Sequence, residues 1–327
     1  MKKSRIVLWL GFLGLLLVVI IYGCGQLTSS TSSDNGVPFP SEDVVFQLDE
    51  LSEATASSSL KAQAASTRAE GLVGSAYAQA GIDLGYFEGF DPVLTTFRTE
   101  TLTTLSSNES TFEGTYSTDD IAFKGKVITS ESNYIVKIWG IRPGQSDYRR
   151  WVYGDFINAN QGMFIIDPYI MWTSTHDYPM TIKFSYDAAT TGTKVCTGGA
   201  TGKWSASSEI IGSTYFYCKE DDSDTSNTIV TFKMYSNATN ESTGVSILDK
   251  LYGKFNRDEN RLHGRDWTNG YAESDSGLLY VNTETFATVE GTVPDNVDAS
   301  SMSFPATPES DFAAWPAISE FPVTPDF

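Results

Sequence analysis

Apolar and polar residues alternate with a period of two through the middle of the chain, from about residue 93 to residue 293. In residues 180–187, Met, Ile, Phe and Tyr occupy every second position and polar residues lie between them. Residues 121–128 and 230–235 repeat this pattern. Such alternation directs one side chain towards a core and the next towards water, as in a half-buried antiparallel strand. The middle of the chain is therefore predicted to consist of strands.

Short polar segments separate the alternating runs, for instance Ser130–Asn133 and Asn256–Asn260. A few residues suffice to join antiparallel strands, whereas a parallel pair needs a crossover of about a dozen residues. The spacing therefore predicts hairpins in series, with roughly 10 to 13 strands of ordinary length. The predicted fold class is mainly β, a long antiparallel meander with one or two N-terminal helices. The meander would form either a curled sheet or open barrel, or a β-sandwich.

Composition divides the rest of the chain into flanking segments. Residues 24–43 are rich in Ser, Thr, Gly and Pro and predict a flexible tether. Residues 44–92 contain Ala-rich stretches, and because Ala has the highest helix propensity they predict a helical segment that packs on the sheet. The antiparallel β domain is expected over residues 93–293. Residues 294–327 hold six of the twelve prolines and predict an extended tail that packs across the domain.

The chain begins with a short basic segment, residues 2–5, which is followed by an uncharged run from Ile6 to Tyr22. Gly23 and Cys24 end this run. A basic start, an apolar core and a small residue at the end are the three parts of a secretory signal peptide. Positive charge stays on the cytoplasmic side of the bilayer while the apolar run enters it. The pattern predicts that the rest of the chain is exported.

The sequence Ile21-Tyr22-Gly23-Cys24 resembles the lipobox of bacterial lipoprotein signal peptides. That family has an aliphatic residue three positions before an invariant Cys and a small residue directly before it. The resemblance implies that residues 1–23 are a lipoprotein signal peptide and that Cys24 becomes the new N-terminus with diacylglycerol on its sulfur. Two or three acyl chains, palmitate among them, would anchor the chain stably, since each buried methylene contributes about 0.8 kcal/mol.

The same resemblance implies a location in the cell envelope. In that family an Asp after the lipidated Cys favours retention in the inner membrane. Gly25 stands at this position, which favours the outer membrane. The alternative is an uncleaved transmembrane helix, although the apolar run is slightly short for a span of about 20 residues. Both interpretations place the main domain outside the cytoplasm.

The acidic balance of the chain limits its partners. The formal net charge is −19 at pH 7. Contacts to phosphate backbones need clustered Lys and Arg, so nucleic acid is not expected as a partner. Anionic lipid head groups are disfavoured for the same reason, and the lipid anchor is the expected link to the membrane. The charge suits solubility, or the attraction of cations.

Cys196 and Cys218 remain as a pair once Cys24 is acylated. Outside the cytoplasm such a pair usually forms a disulfide, which would stabilise the fold by about 3 kcal/mol on the chain-entropy model. Buried thiols are a second interpretation. A metal site is a third, which is disfavoured because two Cys without neighbouring His or further Cys make a poor zinc site.

Residues suited to catalysis are sparse, and none is predicted to be catalytic. The two histidines are His176 and His263. His263 and Asp266 would suit a general base and its orienting carboxylate. A nucleophile is missing, because no Gly-x-Ser-x-Gly elbow occurs in the sequence. A polar strand end is the simpler interpretation of these residues.

Motifs for metals and cofactors give no better candidate. Asp221-Asp222-Ser223-Asp224 offers carboxylates to calcium, but it lacks the glycine and the closing glutamate of an EF-hand loop. A solvated hairpin tip is therefore favoured. The sequence contains no glycine-rich phosphate loop and no Cys-x-x-Cys or His-Glu-x-x-His motif. No metal and no cofactor is predicted.

Aromatic residues make up 13% of the chain. They would either line a ligand cavity or sugar-stacking surface, or fill the core of the sheet. The residues in question are Tyr134, Trp139, Tyr148, Trp151, Tyr153, Trp172, Tyr178, Trp204, Tyr215 and Tyr217. The predicted function is a membrane-anchored, non-enzymatic binding or structural module that takes a hydrophobic ligand, a glycan or a protein partner. The alternative is an envelope hydrolase with an unrecognised active site.

Overall fold

The computed structural model describes residues 35–40, 44, 90, 92–116, 120–170, 180–203, 210–224, 228–240, 246–256, 258–259, 261–268, 279–282 and 316–326. Thirteen strands lie within these ranges. They are β1 (Thr103–Thr104), β2 (Glu109–Tyr116), β3 (Ile121–Thr129), β4 (Tyr134–Ile141), β5 (Arg149–Asn158), β6 (Gln161–Ile166), β7 (Met180–Asp187), β8 (Thr193–Lys203), β9 (Ile210–Asp221), β10 (Ile229–Asn240), β11 (Ser246–Asn256), β12 (Arg261–Thr268) and β13 (Leu279–Asn282). Helix α1 comprises residues 92–99, and a short 3-10 helix (Pro168–Ile170) follows β6.

The thirteen strands form one sheet, in which each strand pairs with its neighbours in sequence. All of the pairings are antiparallel. Strands β1 and β13 lie at the two edges of the described sheet. The predicted antiparallel meander is therefore confirmed. The described strands form one continuous hydrogen-bonded sheet.

The hairpin connections are polar, and their side chains bind the backbone. In the β3–β4 turn the backbone N–H of Asn133 donates to Ser130 Oγ at 3.1 Å. In the β11–β12 turn the backbone N–H of Glu259 donates to Asn256 Oδ1 at 3.1 Å. Turn residues leave the strand ladder and need other partners for their backbone groups. This need accounts for the Ser and Asn residues of the polar segments.

One face of the sheet, which we call the inner face, carries the hydrophobic core. Alternate residues of successive strands define it, among them Phe123 on β3, Phe164 on β6 and Phe184 on β7, each 1% exposed. The core extends across the sheet from Phe112 on β2 to Leu262 on β12. Residues between these positions belong to the opposite face, which we call the outer face.

Helix α1 and the residues near position 40 cover the inner face. Val93 and Leu94 of α1 are fully buried there, as is Val44. Val37 and Phe39 are each 2% exposed. Residues 35–40, which the sequence assigned to a flexible tether, thus form part of the packed domain. Their apolar side chains account for this difference, because they are close enough together to enter the core.

Side-chain hydrogen bonds hold residues 35–40 against α1. Asn35 Nδ2 donates to Phe97 O at 2.8 Å and to Glu100 O at 3.1 Å, at the end of the helix where carbonyl groups lack intrahelical donors. Arg98 Nη2 donates to Pro40 O at 2.8 Å. The N-terminal residues therefore cap the helix as well as covering the sheet.

The predicted boundary at residue 93 between the helical segment and the β domain is corrected. Helix α1 occupies residues 92–99, and the first strand begins only at Thr103. The period-two pattern does not mark this helix, because its apolar residues follow helical spacing. Most of the Ala-rich segment, residues 44–92, lies outside the described residues.

Phe97 of α1 is the centre of an aromatic cluster on the inner face. Its ring lies edge-on to Phe123 at 4.9 Å and to Trp151 at 5.3 Å between ring centres. Phe112 lies 6.2 Å away, so one helix residue contacts rings from β2, β3 and β5. Edge-on aromatic pairs contribute about 0.5–1.5 kcal/mol beyond their burial.

Glycines on the inner face make room for these rings. A Cβ added to Gly125 would overlap the Phe112 ring, and one added to Gly154 would overlap the Phe156 ring. Each ring therefore lies across the backbone of a glycine on a neighbouring or the same strand. The aromatic ring covers the part of the strand where glycine has no side chain of its own.

A β-bulge interrupts the pairing of β4 with β5. Ile138 pairs with Val152 and Trp139 with Arg150, so Trp151 is an extra residue. Trp151 and Val152 both belong to the inner core despite being neighbours. A bulge changes which face a side chain occupies, and here it sends Trp151 inward and leaves Arg150 on the outer face beside Trp139.

Replacing Phe97 with Ala should lower the free energy of unfolding by about 3–5 kcal/mol, because the change removes a buried ring and leaves a cavity. Urea unfolding followed by tryptophan fluorescence measures the effect. Thr99→Ala is the matched control on the same helix, since Thr99 is exposed and a change of less than about 0.5 kcal/mol is expected. Equal losses in the two variants would contradict the central role of Phe97.

Candidate functional site

The lipobox and Cys24 precede Asn35, the first described residue. Acylation of Cys24 therefore stays a prediction. In the described part of the chain, no helix has both the length and the apolar character that crossing a bilayer requires.

The cysteine pair is brought together by the sheet. Cys196 on β8 and Cys218 on β9 lie directly opposite each other in the antiparallel ladder. Both belong to the inner core, at 0% and 2% exposed, and both are thiols in the structure. Opposite residues of antiparallel strands have Cα atoms about 4.5–5.5 Å apart, within the range of about 4.4–6.8 Å found in disulfides. The register of β8 and β9 therefore permits a disulfide between Cys196 and Cys218. The formation of this disulfide stays a prediction.

The surroundings of the pair are apolar with two polar groups. The Cys196 thiol donates to Val44 O at 3.2 Å. Tyr186, opposite Cys196 on β7, is 3% exposed, and its hydroxyl has no hydrogen-bond partner among the described residues. Burial raises the pKa of Tyr186 against the lowering effect of Arg98, so the phenol is neutral. No group of three or more His, Cys, Asp or Glu suited to a metal ion occurs in the residues that the structure describes.

The structure describes one of the two histidines, His263. His263 lies on β12, opposite Lys254 on β11 and Tyr280 on β13, and is 2% exposed. Neither of these two cross-strand neighbours offers a carboxylate to orient it. His176 and the side chain of Asp266 lie outside the described residues.

The acidic loop after β9 is held by its own residues and a lysine. Asp221 accepts hydrogen bonds from Ser223 Oγ at 2.6 Å and from Lys219 Nζ at 2.9 Å. These donors lower the pKa of Asp221 to about 2, with the Ser223 side-chain bond as the largest cause. Asp222 and Asp224 are exposed. The arrangement fits a solvated hairpin tip better than a calcium loop.

The aromatic residues singled out in the sequence are divided between the two faces. Trp151 fills the inner core, whereas Trp139 and Tyr153 lie on the outer face. The side chains of Tyr134, Tyr148, Tyr215 and Tyr217 are partly exposed. Trp172, Tyr178 and Trp204 lie outside the described residues.

The outer face of β3–β5 holds residues 316–326, which we call the C-terminal strap. Phe321 is its anchor and is fully buried. The Phe321 ring lies 5.1 Å from Trp139, edge-on, and 5.9 Å from Tyr153, between ring centres. The Arg150 guanidinium lies 5.8 Å from the centre of the same ring. Burying a Phe side chain contributes about 1.5–3 kcal/mol, so Phe321 stabilises the attachment of the strap by about this amount.

Two side chains also bind the backbone of the strap. Trp139 Nε1 donates to Pro322 O at 2.8 Å, and Arg150 Nη1 donates to Pro316 O at 3.3 Å. Proline has no backbone N–H but keeps its carbonyl acceptor. Hydrogen bonds to a proline-rich segment are therefore made to its carbonyl oxygens. Trp139 and Arg150, which the bulge sets opposite each other, thus contact both the ring and the carbonyls of the strap.

Charge adds a further contact at the end of the strap. Lys126 Nζ on β3 lies 3.8 Å from Asp326 Oδ1 and 3.5 Å from Glu109 Oε2. The strap carries Glu320 and Asp326 and no basic residue. Burial raises the pKa of Tyr153, and Asp155 and Glu320 raise it further, so this phenol is neutral beside the strap. An acidic segment therefore lies on a face that presents Lys126 and Arg150.

Sequence reasoning missed this arrangement as a site. In the sequence, Trp139 and Tyr153 stand out only as aromatic residues, and no local pattern relates Lys126 or Arg150 to them. One signal was present, because Trp139 occupies a position in β4 that alternation assigns to the polar face. A buried aromatic residue on a polar face needs a partner from elsewhere in the chain.

No protein-family model, no curated protein and no solved structure matches this chain.

Reduction should lower the stability of the exported chain by about 3 kcal/mol, because it would release the loop that a Cys196–Cys218 disulfide closes. The urea midpoint measured with and without dithiothreitol tests this. The double variant Cys196→Ala/Cys218→Ala is the control and should show no effect of the reductant. Reaction of both thiols with a maleimide in the unfolded, unreduced chain would exclude the disulfide.

Proposed function

We propose that this chain is a lipoprotein of the bacterial cell envelope, anchored through Cys24 to the outer membrane. Its β domain acts without catalysis, as a binding or structural module for a protein partner. The observation that carries the proposal is the order of residues at the N-terminus, where a basic start and an uncharged run from Ile6 to Tyr22 end at Gly23-Cys24.

Two features of the domain support an exported location. The register places Cys196 opposite Cys218, so an oxidising compartment could join them without moving the strands. Residues 35–40 begin close to Cys24 in sequence and are packed on α1. A lipid on Cys24 would therefore hold the domain near the membrane through a short linking segment.

The occupied inner face favours a protein partner over a small apolar or glycan ligand. Ligand sites in proteins of this kind are concave and lie between structural elements. The described core residues of the inner face are at most 6% exposed, and Val37, Phe39, Val44 and Phe97 belong to the same cluster. Among the described residues, the outer face beyond the strap and the edge strands β1 and β13 are the surfaces that remain for a partner.

Cys24→Ser should abolish the incorporation of radiolabelled palmitate in the host bacterium, because serine has no thiol to carry diacylglycerol. Autoradiography of the immunoprecipitated chain measures the label. Cys218→Ser is the matched control and should keep it. Globomycin, which blocks cleavage of prolipoproteins, should leave residues 1–23 attached. A labelled Cys24→Ser variant, or wild-type chain found unprocessed in the cytosol, would refute acylation.

Native mass spectrometry of the chain purified from its host should give the mass of the acylated polypeptide without a further small molecule. The reason is that the described inner face is already filled by the chain itself. A co-purifying lipid or glycan, retained at constant stoichiometry, would overturn the protein-partner form of the proposal. It would leave acylation of Cys24 untouched.

A further inference from the structure

The strap site is separate from the hydrophobic core of the sheet. Trp139, Ile165 and Phe321 are at most 2% exposed, yet among the described residues they stand outside the continuous core cluster. Trp139 and Ile165 lie on the outer face, and the ladder places Ile165 opposite Tyr153. A second, smaller apolar cluster therefore exists on the outer face, and the strap contributes its central ring.

We propose that the outer face of β3–β6 is a peptide-binding site for an acidic segment in which a turn precedes Phe-Pro, that the C-terminal strap occupies it reversibly, and that the strap of a second copy of this chain can replace it. The result of such an exchange is a dimer in which each sheet carries the strap of its partner.

The contacts define the chemistry that the site recognises. Trp139, Tyr153 and Arg150 surround one aromatic side chain. Trp139 Nε1 and Arg150 Nη1 each bind a proline carbonyl, of Pro322 and Pro316. The matching ligand is thus an aromatic residue flanked by prolines. It follows a turn, in which the backbone N–H groups of Glu320 and Phe321 donate to Ala317 O at 2.8 and 2.9 Å.

An acidic residue completes the ligand. Asp326 follows Phe321 by five positions and reaches Lys126, whose side chain is only 11% exposed. The chain as a whole has a net charge of −19, so a basic and aromatic surface is opposite in sign to most of the molecule. Charge complementarity therefore selects an acidic segment, such as the strap itself.

Part of the strap is exposed to solvent, which favours its release. Ile318 is 64% exposed and Val323 is 47% exposed, so apolar residues on both sides of Phe321 remain in solvent. The described contacts include one buried aromatic anchor, two hydrogen bonds and an ion pair, which are the elements of short-peptide recognition.

The connection to the strap is long enough for exchange. Residues 283–315 separate β13 from the strap, and β5 lies eight strands away from β13 in the sheet. A flat sheet would span about 38 Å over that distance, whereas a chain of this length reaches up to about 110 Å. A sequence of this length is thus long enough for the strap to reach a second sheet. Exchange of the strap between two copies preserves every contact at the site. Swapping an identical segment therefore forms a dimer at a low cost in free energy.

The test is complementation between two disabled chains, purified at full length in detergent. Phe321→Ala has an intact site and a disabled strap, and Trp139→Ala has an intact strap and a disabled site. Each variant alone should stay monomeric in analytical ultracentrifugation. Their mixture should contain a heterodimer, and wild-type chain should dimerise increasingly with concentration. Ile318→Ala, changed at an exposed strap residue, is the matched control and should dimerise as wild type does.

A synthetic peptide of residues 316–326 separates recognition from exchange. The peptide should bind the Phe321→Ala chain. Its affinity for the Phe321→Ala/Trp139→Ala chain should be lower by a factor of about ten or more, as measured by fluorescence anisotropy. Peptide binding without any heterodimer would overturn the second copy as the occupant and point to a foreign segment of the same chemistry. No peptide binding by a folded Phe321→Ala chain would overturn the site itself.

Circular dichroism establishes whether each variant is folded. Should Trp139→Ala unfold, Arg150→Ala takes its place, because it removes the contacts to Phe321 and Pro316 without emptying the outer apolar cluster. Should Phe321→Ala unfold, Phe321→Leu takes its place, because it keeps an apolar side chain and loses the ring contacts. The expected and contradicting outcomes stay the same for these substitutes.

Discussion

The fold depends on covering one face of a very long sheet. In a meander each strand pairs only with its neighbours in sequence, so the hydrogen-bond ladder alone gives no connection between distant strands. Phe97 supplies such a connection, because its ring contacts Phe112, Phe123 and Trp151 on three strands. Phe39 extends the link to Phe156 on β5 at 5.4 Å between ring centres. The cover therefore turns a series of hairpins into one cooperative core.

The cover also joins the N-terminal end of the chain to the sheet. Asn35 binds the carbonyls at the end of α1, and Val44 O accepts from the Cys196 thiol. Under the proposed acylation of Cys24, the segment nearest the membrane anchor is part of the core. Loosening it would uncover the helix end and the cysteine pair together, so anchoring and folding would share the same few residues.

The sequence predicted those features that depend on local patterns, and it failed where distant residues decide. Period-two alternation in segments such as residues 180–187 was sufficient to predict the antiparallel meander, because neighbouring hairpins need only local information. The packing of Val37 and Phe39 was missed, since the surrounding Ser, Gly and Pro residues have the composition of a linker. The strap site was missed for a stronger reason. Trp139 and Pro322 are 183 positions apart, and no local pattern relates them.

One irregularity of the backbone builds both clusters of the domain. The bulge at Trp151 places this ring in the inner core against Phe97 and leaves its neighbour Arg150 facing Phe321. Without the extra residue, alternation would send Trp151 outward and Arg150 into the core, where an unpaired charge is costly. The inner and outer clusters are therefore fixed by the same register. A change in the pairing of β4 with β5 would disrupt the core and the strap site at once, which makes the bulge the point where the two faces of the sheet are coupled.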